Sequence, residues 1–270
     1  MHGIVFEAAL LGIIQGTTEF LPVSSDGHLA LAGILFGLED SGLTLTVMLH
    51  TGTWLATLLV LRSRVSAALG EGVRALGQPW RFRQTPGGRD AFVVLLASIP
   101  TAAVGLLLRD LVERWTRSPL AIGLGFLATG ILLTSTRFVR RGEEDTTSAL
   151  GALALGFAQG LAVLPGLSRS GSTVTVALWL GIKPERAFEL SMLMSLPAVL
   201  GAVLLELPKA LRTPHGWGVA ALGALIAFFT GVLALYLLRR VMMKGKFALF
   251  ALWVLPLSVA TLALARAWPN

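Results

Sequence analysis

The chain has 270 residues, 54% of them hydrophobic and only 14% charged, with a mean hydropathy of +0.76. A soluble domain carries about 25% charged residues, so the composition excludes one and points to an integral membrane protein. The net charge of +7 and pI near 11.0 fit basic loops between apolar segments better than a nucleic-acid partner, and the absence of Cys excludes disulfides, thiolate metal ligands and a Cys nucleophile. The N-terminus shows neither a basic n-region nor a small-residue cleavage site, so no removable signal peptide is expected.

In chain order, the sequence predicts a broken pair of apolar helices at 4–21 and 25–37, then spans at 44–61, 91–108 and 119–137. A second broken pair follows at 150–164 and 172–181, then spans at 187–207, 217–238 and 247–265. Each span has the roughly 20 residues needed to cross about 30 Å of hydrocarbon. The short pairs are interrupted by Gly, Pro and polar residues, and irregular backbone at membrane depth survives only inside protein or beside water. They read as re-entrant helix–turn–helix units. The expected fold is therefore all-α and polytopic, with six spans and two re-entrant hairpins in one membrane domain. Three spans lie between the hairpins, an odd number, so the two halves (1–137 and 149–266) form an inverted repeat.

Fifteen of the 22 Lys and Arg residues fall on the face that holds 62–90, 137–141, 183–186 and 239–246. Six fall on the other face, with Arg169 set aside as part of a motif. The positive-inside rule then puts both termini and the first hairpin's entrance outside. The Arg-rich stretch 62–90 reads as a cytoplasmic connector, interfacial in character.

Two motifs carry the polar chemistry. The first runs from Gln15 through Glu19, Leu21-Pro22, Ser24-Ser25-Asp26-Gly27 and His28; the second from Gln159 through Leu164-Pro165-Gly166 to Ser168-Arg169-Ser170-Gly171-Ser172-Thr173. Their Gln-to-Pro spacings differ by one residue. Gln15 and Glu19 share a helix face. A lone intramembrane Glu costs about 2.5 kcal/mol or more unless partnered, and its candidates are a divalent metal or Arg169, the latter as a plain ion pair joining the halves. Ser24 and Ser25 stand within a turn of His28. The arrangement suits a Ser nucleophile with an imidazole base, direct attack by His28, or a helix cap with no chemistry. The second turn, with flexible Gly, several hydroxyls and one Arg ahead of a helix N-terminus, suits an oxyanion. His50 and Glu189 carry weaker claims as packing and interfacial groups. Ser98-Ile99-Pro100 and Ser195-Leu196-Pro197, at matching places in the halves, suggest kinked helices lining a cavity.

Glu19-Phe20-Leu21-Pro22-Val23-Ser24-Ser25-x-Gly27-His28 with Gln15, and Pro165-Gly166-x-Ser168-Arg169-Ser170-x-x-Thr173, resemble the two signatures of the bacterial undecaprenyl-diphosphate phosphatases, the bacitracin-resistance family. Ser191-x-x-x-Ser195-x-Pro197 extends the likeness. The resemblance implies hydrolysis of a polyprenyl diphosphate lipid to the monophosphate and phosphate, recycling the carrier for peptidoglycan and so serving cell-wall biogenesis, cell shape and antibiotic resistance. It implies a plasma-membrane location and an active site open to the outer face. Glu19 would be metal-associated, with Gln15 a weaker ligand to Mg or Ca. Ser25 and His28 would be the catalytic pair. Ser24, Ser168, Arg169, Ser170 and Thr173 would bind phosphate. Asp26 departs from the family's Ser or Thr, Gln15 replaces Glu, and Ala251-Leu252-Trp253 replaces a Tyr-Arg pair. The competing reading is a polyprenyl-phosphate transporter or flippase, which needs the anion site but no nucleophile. The oligomeric state, a homodimer among the options, stays open.

Overall fold

The computed structural model describes residues 2–36, 42–212 and 216–267. The expected end of the second helix at residue 37, and His215, lie outside them.

Among the described residues the protein is all-helical, with one isolated parallel bridge between Glu144 and Ile182. The first half comprises α1 (His2–Thr18), α2 (Ser25–Phe36), α3 (Gly42–Val60), α4 (Arg62–Gly77), α5 (Arg81–Gln84), α6 (Pro86–Leu107), α7 (Arg109–Trp115) and α8 (Pro119–Ser135). The second comprises α9 (Ala149–Leu161), α10 (Arg169–Trp179), α11 (Pro184–Ala210), α12 (Trp217–Met243) and α13 (Ala251–Ala267). Six helical stretches, those built on α3, α6, α8, α11, α12 and α13, are long and apolar enough to cross a membrane. Helices α6 and α11 start several residues before the expected positions because Pro86 and Pro184 open their first turns. Stretch 62–90 is mostly helical. Leu69, Val73 and Leu76 of α4 are exposed at helical spacing among Arg residues, as in a helix lying at a membrane surface.

The halves interlock by exchange. Helix α1 packs on α12 of the other half, and α9 packs on α6. The contact is the same in both places. A Cβ on Gly12 or Gly16 would strike the Gly223 carbonyl, or Thr230 and the Ala227 carbonyl. One on Gly156 or Gly160 would strike the Ala97 carbonyl or Val104. Thr230 Oγ1, which donates to the Ile226 carbonyl of its own helix at 2.8 Å, lies 3.4 Å from the Gly12 carbonyl, and Thr101 Oγ1, 2.8 Å from the Ala97 carbonyl of its own helix, lies 2.9 Å from the Gly156 carbonyl. Small residues four apart let backbones approach this closely in lipid. With α3 on α12, α8 on α13 and α3 on α11, these contacts bring the two short helix pairs to the middle of the bundle.

Candidate active site

Each motif ends in the same cap. Ser24 precedes α2, and its Oγ accepts from the Gly27 amide at 3.3 Å; Ser168 precedes α10, and its Oγ accepts from the Gly171 amide at 3.1 Å. Ser24 adopts a left-handed φ of 68° to do so, an arrangement costing about 1–3 kcal/mol in a non-Gly residue. Aligned on these caps, the two motifs agree without an offset. Gln15 stands nine before Ser24 and Gln159 nine before Ser168, and Gly12, Gly16 and Gly27 match Gly156, Gly160 and Gly171. The one-residue discrepancy at the prolines is local to the turns.

The same register pairs Ser25 with Arg169, each the first residue of its helix, and both side chains reach Glu19. Ser25 Oγ donates to Glu19 Oε2 at 2.6 Å, and the Arg169 guanidinium donates to Glu19 Oε1 at 2.6 Å. Gln15 Nε2 completes the shell at 3.0 Å from Oε2. Glu19 is nearly buried, and the second amino group of Arg169 is buried with no partner. The turns themselves touch: a Cβ on Gly27 would fall 2.9 Å from Gly166 Cα, and Ser170 Oγ donates to the Leu21 carbonyl at 3.3 Å. Thr129 of α8 holds the second turn from behind, donating to the Gly166 carbonyl at 2.8 Å and accepting from the Ser168 amide at 2.9 Å. Thr173 shares a 2.6 Å hydroxyl contact with Ser191 of α11. A narrow cleft beside Glu19 and Arg169 is lined by Thr53, Trp54, Thr57 and Ser195.

His28 does not pair with Ser25. Its Nδ1–H donates to the Ser24 carbonyl at 2.8 Å, and Nε2 accepts from the Trp253 indole N–H at 3.1 Å. The expected Ser25–His28 hydrogen bond is replaced by Ser25–Glu19. The reason is local: a ring one turn along from Ser24 finds that residue's carbonyl before it finds Ser25.

His50, given only a packing role from sequence, belongs to this cluster. Gln15 Nε2 lies 3.0 Å from His50 Nδ1 as well as from Glu19. An amide nitrogen has two hydrogens and donates one to each, so Nδ1 accepts and Nε2 carries the ring proton. That nitrogen faces Asp26 Oδ1 at 3.9 Å. Thr129 carried no site signal in the sequence, and Trp253 entered only as part of the Ala251-Leu252-Trp253 departure, because both reach the motifs through tertiary packing.

Among the described residues no group of three His, Asp or Glu side chains could hold a metal ion, and His50 turns one nitrogen to Glu19 and the other to Asp26. A cation whose ligands come mainly from phosphate and water nevertheless suits the donors present. Such ions need only one or two carboxylates from protein. Glu19 would supply one, and the buried Gln15 Oε1, which has no hydrogen-bond partner among the described residues, could supply a second oxygen.

A second charged cluster lies away from the motifs. Arg186 of α11 pairs with Asp90 of α6 and with Glu189, and Arg64 of α4 reaches Glu189 at 3.1 Å. All but Arg64 are buried. Glu189 is thus a network member and not a simple interfacial group.

Residues 8–260 match the family described as bacitracin resistance protein BacA. The chain belongs to the BacA family. It is 38% identical over 265 residues to the undecaprenyl-diphosphatase of Desulforapulum autotrophicum, covering 94% of this chain and 96% of that one. It is 39% identical to the undecaprenyl-diphosphatase of Desulfatibacillum aliphaticivorans, covering 93% and 94%, and 35% identical to that of Carboxydothermus hydrogenoformans, covering 97% and 98%. The BacA match takes in both motifs, Glu19 and Arg169 alike.

Proposed function

We propose that this BacA-family chain hydrolyses undecaprenyl diphosphate to undecaprenyl phosphate and inorganic phosphate at the Glu19–Ser25–Arg169 site. The observation that carries the reading is the meeting of Ser25 and Arg169, first residues of two helices from opposite halves, on one buried carboxylate. Two helix N-termini and a guanidinium converge there, an environment that favours phosphate oxygens. The unpartnered amino group of Arg169 binds the terminal phosphoryl group, with the hydroxyls of Ser168, Ser170 and Thr173 in the cradle behind it. Ser24 acts as a cap and not as a direct ligand.

Ser25 is the preferred nucleophile, and Glu19, already accepting its hydroxyl hydrogen, is the base. The Ser25 oxygen bonds the terminal phosphorus as the bond to the bridging oxygen breaks, and the lipid monophosphate leaves with those electrons. Water then attacks the phosphoserine, returning the Ser25 hydroxyl and releasing phosphate. In that step Glu19 returns its proton to the Ser25 oxygen, and His28 takes at Nε2 the proton that the attacking water loses. Phosphoryl transfer mainly requires positioning and charge stabilisation, which these groups supply. Bound Mg or Ca would add neutralisation of the diphosphate charge, with Glu19 and Gln15 as the protein's share.

The reciprocal packing of α1 on α12 and α9 on α6 supports reading each short helix pair as re-entrant and the halves as inverted repeats. Charge distribution supports a bacterial plasma-membrane location with the site open to the outer face. This activity would recycle the lipid carrier for cell-wall synthesis and give bacitracin resistance. A transporter or flippase would need the anion cradle but not the Ser25–Glu19 contact. The deciding experiment is phosphate release from a long-chain prenyl diphosphate by detergent-purified protein. No release above an Arg169→Ala control would refute the reading.

A further inference from the structure

Helix α13 brings Trp253 to a ring that the motifs alone leave unexplained. The His28 and Trp253 rings lie 9° from parallel with centroids 6.4 Å apart. That separation is too long for a face-to-face stack. With the indole nitrogen 3.1 Å from Nε2, the rings instead meet edge to edge, nearly coplanar, in an N–H···N hydrogen bond. Phe126 of α8 holds the imidazole from another side, edge-on at 5.3 Å. The first nitrogen is settled too, since the Ser24 carbonyl can only accept and Nδ1 must carry the hydrogen. Both nitrogens are therefore assigned by hard partners. The imidazole is neutral, protonated at Nδ1, with its free electron pair at Nε2 under the indole donor.

We propose that Trp253 is a positioning residue of this site: with the Ser24 carbonyl setting the tautomer, the indole fixes the ring plane of His28 and holds Nε2 as the acceptor, so that the imidazole takes its proton from the α13 side and not from Ser25. Two facts converge on this. Neither ring nitrogen bonds Ser25, whose hydroxyl is committed to Glu19. Trp253 is 60% exposed, so the Nε2 side of the ring borders the outside of the bundle while the Nδ1 side faces the motif backbone. A group arriving between α2 and α13 can displace the indole N–H and meet an unprotonated Nε2 already aligned. The proposal rests on the reading of His28 as a proton carrier.

The test compares wild type, Trp253→Phe, His28→Gln and the double variant, all as full-length protein in detergent, with 15N-labelled histidine. Phe keeps an aromatic ring and removes the donor. The His28 nitrogen signals, identified by their loss in His28→Gln, should show the neutral Nδ1–H form in wild type, and in Trp253→Phe the same form with the Nε2 signal displaced by loss of the indole hydrogen bond. With a prenyl diphosphate, kcat should fall about three- to tenfold, the size of one neutral hydrogen bond, while KM stays within about twofold. In the His28→Gln background the same substitution should change nothing further. Unchanged His28 signals in Trp253→Phe, or an equal loss of rate with and without His28, would overturn the proposal. Wild-type turnover in His28→Gln would overturn the parent reading instead, and the nitrogen signals alone would then decide the tautomer assignment.

Discussion

Arg169 and Glu19, 150 positions apart in the chain, meet at 2.6 Å between guanidinium and carboxylate, with side-chain exposures of 15% and 7%. Each comes from a helix pair that holds no opposite charge within bonding reach of its own turn. The pair is a joint between the halves as well as the centre of the proposed site. Breaking a buried ion pair by removing one partner costs about 3–5 kcal/mol, so loss of either side chain should register in stability as well as turnover.

Arg169→Lys separates the two effects. Lys keeps the charge facing Glu19 but lacks the planar second amino group that has no protein partner here. Its melting temperature in detergent should stay closer to wild type than that of Arg169→Ala. Its kcat should fall about 10²–10³-fold, the loss typical of one preorganised donor. Near-normal turnover in a folded Arg169→Lys protein would remove Arg169 from the phosphate clamp.

Glu19→Gln addresses the metal. If Glu19 and the Gln15 amide oxygen contribute to a cation held mostly by phosphate, excess chelator should abolish wild-type turnover. The variant should need far more Mg or Ca for its residual rate. Equilibrium dialysis of the substrate-free protein should show only weak Ca binding, because two oxygens do not make a closed site. Full wild-type activity in chelator is the result that would end this role.

How far was this legible beforehand? The ion pair was, because a lone Glu and a lone Arg in apolar hairpins have few places to go. The helix pairs were too, since Gly and Pro interrupt apolar runs too short to cross. The roles within the first motif were less so. Ser25 and His28 stand three residues apart, which invites a pairing, yet the Ser24 carbonyl captures Nδ1 and Glu19 captures the hydroxyl. His50 and Trp253 arrive from α3 and α13, and no local pattern says which turn of a long apolar helix will face a motif. Asp90 and Arg186 were unreadable for the same reason: their pairing needs α6 and α11 side by side.

That second network makes its own prediction. Arg186 binds Asp90 and Glu189 at once, and α11 continues from it to Ser191, which touches Thr173. Arg186→Leu strands the buried Asp90 and leaves Glu189 with Arg64 alone, and should destabilise the fold by about 3–5 kcal/mol. Arg186→Leu combined with Asp90→Leu and Glu189→Leu should recover much of that, since apolar replacement of a whole buried network is often neutral. Thermal unfolding in detergent reads both. A triple variant no more stable than the single one would show that the charges themselves, and not their balance, hold α11.

At the membrane surface, hydrogen bonds from Arg81 and then Arg74 hold the Glu71 carboxyl below its ordinary range. A depressed carboxyl adds stability above its unfolded pKa, and that stability is lost as pH falls through the lower, folded value. The α4–α5 junction should therefore loosen only below about pH 4. Glu71→Gln should loosen it at neutral pH and erase the acid dependence. Hydrogen exchange of the α5 amides, corrected for intrinsic rates, checks both; exchange that is insensitive to the substitution would assign the junction to packing alone.

Topology is the reading with the widest consequences, because it decides whether the two helix pairs enter from opposite faces. Three spans separate them, and each pair lies against a span of the other half through the same glycine-to-threonine contact. If each pair is re-entrant, the odd number of crossings between them makes the two pairs inverted. The chain has no Cys, so single thiols report cleanly. Arg114→Cys, in the connection two spans after the first pair, should share that pair's outer face and react with an impermeant thiol reagent on intact cells. Ser66→Cys on α4 and Glu143→Cys just before α9 should react only after the membrane is opened. All three positions are exposed, so accessibility within the protein does not bias the comparison. Labelling of Arg114→Cys and Glu143→Cys from the same side would leave an even number of crossings between the pairs. Glu19 and Arg169 would then have to meet within hairpins entering from one face, and the two-fold relation of the halves would be lost.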